Sequence, residues 1–159
     1  MRQILACACG AAGLATVPVS AQRIMRTANL PTAVDLAADA SVAHRKRVPL
    51  LLFFARTDCP YCERALREYL VPMSTDPAWR DRALFRQIEI DRALPLVGFD
   101  GASTTHRDFA ARRNIHLTPT VAVVDGKGTD LAEPIIGLTT LDFYGAYLEN
   151  AIISGSGRI

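Results

Sequence analysis

Two cysteines three residues apart stand where a strand-like segment hands over to a helix-like one, and that junction restricts this chain more than any other feature. The apolar run Pro49-Leu50-Leu51-Leu52-Phe53-Phe54-Ala55 precedes Cys59-Pro60-Tyr61-Cys62, and Glu63-Arg64-Ala65-Leu66-Arg67-Glu68-Tyr69-Leu70 follows with helical character. A helix N-terminus carries unpaired N–H groups and partial positive charge, which favour a thiolate over a thiol. Spacing i, i+3 on the first turn brings the second sulfur close enough to attack a mixed disulfide formed by the first. The pair therefore reads as a redox device.

Two plainer uses of the pair are weaker. A structural bridge across so short a loop restrains little of the unfolded chain. A structural zinc site needs four ligands. The other cysteines, Cys7 and Cys9, fall in a segment expected to be removed, and His44, His106 and His116 lack ligand-like spacing. No metal is expected.

Met1-Arg2, the Ala-rich apolar stretch Ile4 to Val17 and the small-residue site Val19-Ser20-Ala21 read as a signal peptide over residues 1–21. The run is shorter than the ~20 residues of a membrane span, and Pro18 interrupts its end. Cleavage after Ala21 predicts a periplasmic or secreted protein without stable membrane insertion, in an oxidising compartment. It also leaves Cys59 and Cys62 as the only cysteines, which is too few for a disulfide framework. The formal charge of +2 would fall by one with Arg2, so no pull toward nucleic acid is expected. Arginines are mostly interspersed with acids, and the one basic cluster, His44-Arg45-Lys46-Arg47, suits a helix C-terminus.

The remaining chain suits one domain with one core. Residues 22–32 read as an extended or mobile lead-in, and Thr32 through Arg47 as a helix. Val48 to Ala55 is a central strand, apolar on both faces. Pro72 should end or kink the redox helix, and Asp76-Pro77 offers the start of a second short helix carrying Trp79. Ala83 to Asp91 alternates as a strand, and Arg92 to Ala102, with Pro95, Gly98 and Gly101, reads as a loop. Thr105 with Asp108 resembles a capping box before Phe109–Asn114. Strand Thr120–Val124 follows Thr118-Pro119, Asp125-Gly126-Lys127-Gly128 signals a hairpin, and a strand around Leu131 to Ile136 ends at Gly137. Thr140 can cap a last helix from Leu141 to Ile153, and residues 154–159 read as a flexible tail. Crossover helices give parallel pairing and the hairpin gives antiparallel pairing, hence an α/β chain with a mixed central sheet covered on both faces.

Over residues 33–153 the chain resembles the thioredoxin superfamily. Phe53-Phe54-Ala55 before Cys59-Pro60-Tyr61-Cys62 is similar to the family's strand and active-site turn. Thr118-Pro119-Thr120 is similar to its cis-proline loop, and Gly137 to the glycine before the last helix. Taken alone, Pro119 reads as an ordinary trans proline opening an edge strand, since only about 5–6% of such bonds are cis. Among its members the chain most resembles exported bacterial thioredoxin-related proteins.

The resemblance implies the thioredoxin fold and a thiol–disulfide oxidoreductase. In it Cys59 is the exposed nucleophile and Cys62, one turn deeper, resolves the mixed disulfide. Pro60, Tyr61, Thr118 and Pro119 would meet an extended substrate segment. No cofactor is implied beyond the Cys59–Cys62 disulfide. Protein disulfides as substrates, a membrane thiol reductase as electron donor and a monomeric state complete the expectation, with electron flow in the reducing direction.

The family's buried acid and its lysine partner are replaced, at the candidate positions, by Leu52 or Phe53 and by Gln87. Thr57-Asp58 stands where a tryptophan is usual, and the Asp58 charge opposes thiolate formation while Arg56 offsets it. Two other readings of the same fold remain: a copper chaperone using both thiolates with His106 or His116, and a binding module without turnover.

Overall fold

The computed structural model describes residues 29–138 and 141–159. The expected leader, its cleavage site, Cys7, Cys9 and the Thr140 cap lie outside the described residues.

Strand β1 (Leu50–Ala55) is buried at every position, which is why the run carries no polar residue. It lies second in a sheet of order β2-β1-β5-β6, with β2 (Leu84–Glu89), β5 (Thr120–Val124) and β6 (Ile135–Ile136). β2 runs parallel to β1, while β5 is antiparallel to β1 and β6 to β5. Alternation along the strands splits the core in two. Leu51, Phe53, Val121 and Val123 face a cluster containing Cys59, Cys62, Leu66, Tyr144 and Ile152, whereas Leu50, Leu52, Phe54, Ala122 and Val124 pack with Leu36, Ala43 and Phe109. Each such large side chain contributes about 1.5–3 kcal/mol by leaving water. The mixed α/β sheet with helices on both faces is as expected.

Several boundaries differ, for identifiable reasons. Helix α1 (Leu36–Lys46) starts at Leu36 rather than Thr32, because Asp35 is its N-cap and Ala33 N–H bonds Gln87 O at 2.9 Å, which docks the end of the lead-in beside β2. Pro72 does not end the redox helix. Helix α2 (Pro60–Ala65) passes through a π-type turn at Leu66–Leu70 into α3 (Val71–Thr75). There Val71 N–H reaches back to Leu66 O, and this wider turn absorbs the hydrogen bond that proline cannot donate. The helix expected after Asp76 is a series of turns instead: Asp76 Oδ1 accepts Ala78 N–H at 2.7 Å. Trp79 still packs on the core, with Arg82 over its ring at 5.1 Å.

The loop expected at 92–102 contains β3 (Pro95–Val97), which pairs with β4 (Ser103–Thr105). A bridge between Asp35 and Val97 ties this hairpin to the start of α1. Helix α4 (His106–Arg112) then follows the Thr105 cap. The strand expected at Leu131–Ile136 shrinks to β6, although Leu131 N–H still reaches Val123 O at 2.8 Å. Helix α5 (Leu141–Ser156) outruns Ile153, so the expected tail from 154 begins inside it. Gly155 explains this: it is buried where a Cβ would lie 2.9 Å from Val123 Cγ1.

Candidate active site

Where β1 ends, the exposed turn Arg56-Thr57-Asp58 lifts the chain off the sheet. Asp58 takes a left-handed conformation with φ 54°, uncommon for a side chain other than glycine. Cys59 returns to φ −114° as the N-cap of α2, and Pro60 occupies the first turn, where no N–H is needed. Cys59 Sγ accepts the Cys62 N–H at 3.2 Å. The sulfur thus does what a serine or aspartate oxygen does at other caps. Cys59 and Cys62 form a disulfide with S–S 2.08 Å and Cα–Cα 5.2 Å.

From the opposite side, the Thr118–Pro119 peptide is cis, and Thr118 Oγ1 lies 3.6 Å from Cys59 Sγ. Pro119 is buried, and its carbonyl accepts Gly137 N–H at 2.7 Å. Gly137 has φ 78°, a conformation in which a side chain would be strained. The structure therefore assembles Cys59, Cys62, Thr118 and Pro119 from two separate segments, with Gly137 of a third bonded behind them. Pro60 is exposed, and Tyr61 projects from the turn with 64% of its surface exposed.

Cys59 was expected to be exposed, and this needs correction. It is 8% exposed against 3% for Cys62, so the difference between the two is small. The disulfide to Cys62 and Thr118 Oγ1 at 3.6 Å both stand against this sulfur.

Histidine placement weakens the copper reading. His106 is fully buried, its Nδ1 accepts Glu89 N–H at 2.9 Å, and its Nε2–H therefore donates to Ala33 O at 2.8 Å. Both ring nitrogens are engaged, so His106 is not available as a ligand. His116 is exposed, and no group of three or more His, Cys, Asp or Glu residues is placed to hold a metal among the described residues.

Residues 36–152 match the family described as the thioredoxin-like domain. The chain belongs to that family. No curated protein matches it in sequence. Among solved structures it is similar to mitochondrial thioredoxin 3 from Saccharomyces cerevisiae in its oxidized form, at 19% identity and TM-score 0.51, covering 78% of this chain and 93% of that one. It is likewise similar to the thioredoxin NaTrxh from Nicotiana alata, at 16% identity and TM-score 0.53, covering 80% and 95%. The Fasciola hepatica thioredoxin gives 11% identity and TM-score 0.53, covering 78% and 97%. At such identities the likeness is one of fold.

Within this thioredoxin-like domain, the position of the expected buried acid resolves to Phe53, which stands opposite Gln87 in the β1–β2 register. Gln87 is largely buried, and its Oε1 has no hydrogen-bond partner among the described residues. Three other residues at the site were not singled out in the sequence. Leu117 and Ile136 are exposed apolar side chains flanking Thr118 and Gly137, and their signal was a hydrophobic residue beside each of those two loop positions. Asp91, at the end of β2, accepts Thr57 N–H through Oδ2 at 3.0 Å. Its signal was an acid at the close of the alternating run from Ala83.

Proposed function

We propose that this protein is a thiol–disulfide oxidoreductase that reduces protein disulfides by cycling between the Cys59/Cys62 dithiol and its disulfide. One observation carries the reading: Cys59 Sγ caps the redox helix on the Cys62 N–H, with Cys62 bonded behind it and Thr118 at its side. A donor hydrogen bond and the positive helix end both favour the thiolate. In the reduced protein, the Cys59 thiolate attacks one substrate sulfur and the substrate S–S bond breaks. The departing sulfur leaves as a thiolate and takes a proton from water. Cys62 then gives its proton to water and its thiolate attacks Cys59 Sγ. The intramolecular disulfide re-forms, and the second substrate sulfur leaves as a thiolate that takes a proton from water. Two electrons pass to the substrate, and no cofactor beyond the cysteine pair takes part.

An extended substrate segment docks against the Thr118-Pro119 backbone, with Pro60 and Tyr61 flanking the approach. The exposed apolar side chains Tyr61, Leu117 and Ile136 support a polypeptide rather than a small polar substrate. The composition of residues 1–21 supports export to the periplasm or beyond, where a membrane thiol reductase would return the pair to the dithiol. The protein acts as a monomer.

Catalysed reduction of a protein disulfide, driven by a small thiol, tests the reading. Cys59→Ser should fall to the uncatalysed background, and Cys62→Ser should accumulate a mixed disulfide with its substrate. Equal activity in both single variants would eliminate the proposal. Titration in glutathione buffers decides the direction of flow: a potential near about −270 mV marks a reductant, and one near about −120 mV an oxidant.

A further inference from the structure

Asp91 stands where the end of β2 meets the turn leading to Cys59. Ile90 N–H donates to Ala55 O at 2.8 Å, extending the β1–β2 pairing and bringing Asp91 level with Arg56 and Thr57. Asp91 Oδ2 then accepts Thr57 N–H across 34 positions of sequence. Immediately after Thr57 comes the left-handed corner at Asp58, and after that the cap at Cys59. Arg56, Thr57 and Asp58 are all exposed, so packing does little to hold this corner. A hydrogen bond from a rigid strand end is the kind of restraint that can.

The carboxylate is held there against a cost. Its Oδ1 is shielded from water and has no hydrogen-bond partner among the described residues. Burial alone would push the carboxyl up. The bonds from Thr57 and the Arg56 charge outweigh burial and hold it below the ordinary carboxylate range, so the group is ionised at neutral pH. Arg107 Nη2 bonds the Asp91 carbonyl at 2.7 Å, and Arg92 pairs with Glu89 at 2.9 Å. Of the charged side chains near the turn, Arg56 is the one that acts on the carboxylate.

We propose that Asp91 is a positioning residue for the redox turn: its carboxylate tethers Thr57 and thereby holds Asp58 in the conformation that makes Cys59 the cap of α2. The inference rests on Cys59 being the attacking thiol. Loss of the tether frees Cys59 Sγ from its alignment with the Cys62 N–H, and the thiolate loses a donor. Loss of the negative charge alone acts the opposite way, because a nearby anion opposes a thiolate.

Three substitutions in the full chain separate the two effects. Asp91→Asn keeps an acceptor oxygen for Thr57 and drops the charge. Asp91→Glu keeps the charge and displaces the oxygens by a methylene. Asp91→Ala removes both. The measurement is the rate of iodoacetamide alkylation at Cys59 of the reduced protein across pH, resolved by mass, with thermal unfolding recorded alongside. Asn should alkylate at or above the wild-type rate, whereas Glu and Ala should be slower by roughly 3–10-fold at pH 7 with the thiolate midpoint moved upward. Asn rescue is the outcome that a general loss of packing would not produce. If Glu matches wild type, or if Asn is as slow as Ala, the tether is not the cause and the proposal is overturned. Should one of Glu and Ala fail to fold, the other compared with Asn still decides. Protein-disulfide turnover by the wild type is measured separately: its absence would remove the proposed function while leaving the alkylation contrast readable.

Discussion

Thr105 and Cys59 begin helices in the same way, each accepting the N–H three residues on, but one uses oxygen and the other sulfur. Thr105 Oγ1 takes Asp108 N–H at 3.1 Å, and Cys59 Sγ takes Cys62 N–H at 3.2 Å. Around Thr105 the arrangement is closed: its hydroxyl donates to Asp108 Oδ2 at 2.7 Å, and the chain enters from β4 in ordinary extended conformation. Around Cys59 the entry is the left-handed Asp58, and the residue whose N–H is bound supplies the second sulfur. The first cap is complete once the helix has formed. In the second, the interaction that starts the helix is also the one that stabilises a thiolate, so opening the disulfide leaves a reactive atom already held by a donor. The same local geometry serves folding in one place and, on the proposed function, chemistry in the other.

The largest test of this contrast is Cys59→Ser. Serine is among the best capping residues, so the unfolding midpoint of the reduced protein should hardly move while turnover disappears. A collapse of stability would mean that the sulfur is structural after all. Next in size is His106→Leu at the first position of α4, which leaves Glu89 N–H and Ala33 O unpaired in the interior. The two orphaned groups should together cost about 2–5 kcal/mol in denaturant unfolding, without a change in Cys59 alkylation per folded molecule. Thr105→Ala should cost about 1 kcal/mol and leave turnover at wild-type level. A loss of activity there would erase the distinction between the two caps.

The smallest effect is expected at Tyr144, on α5, which packs edge-on against Tyr69 of the redox helix with ring centroids 5.1 Å apart. Its hydroxyl is buried without a partner among the described residues, and burial, reinforced by Tyr69, pushes its ionisation upward. The folded state therefore holds this proton more tightly than the unfolded state. Its contribution to stability is intact below the ordinary tyrosine value of about 10 and declines as pH rises beyond it. Tyr144→Phe should be neutral or stabilising by up to about 1 kcal/mol, and its unfolding midpoint should fall less steeply above pH 10 than that of wild type. An equal fall would place the alkaline sensitivity elsewhere.

How much of this could be read in advance followed the range of each signal. The β1 run was legible because six consecutive apolar residues have few other homes than the centre of a sheet. Thr105 and Asp108 were legible because a capping box needs only four residues. Pro72 misled, since whether proline stops a helix depends on whether an adjacent turn can widen, and that is decided by what the helix packs against. The Asp76 turns misled too: Asp76 does accept a backbone N–H, but from Ala78, two residues on, and no helix follows. The β3–β4 hairpin was hidden in a stretch rich in proline and glycine, because its anchor to Asp35 is far away in sequence. At the candidate site, the two cysteines and Thr118-Pro119 were visible as motifs, while Asp91 was not, because its partner Thr57 is remote along the chain.

The sequence by itself determined that two sulfurs would share the first turn of a helix fed by a buried strand, since strand, turn and helix each follow from contiguous residues. Only the tertiary structure decided how covered Cys59 would be, how near Thr118 would stand to its sulfur, and what would hold the turn. Those depend on Thr118, Gly137 and Asp91 arriving from the ends of other strands. Backbone pairing across the sheet brings them there, and local sequence carries no record of that pairing.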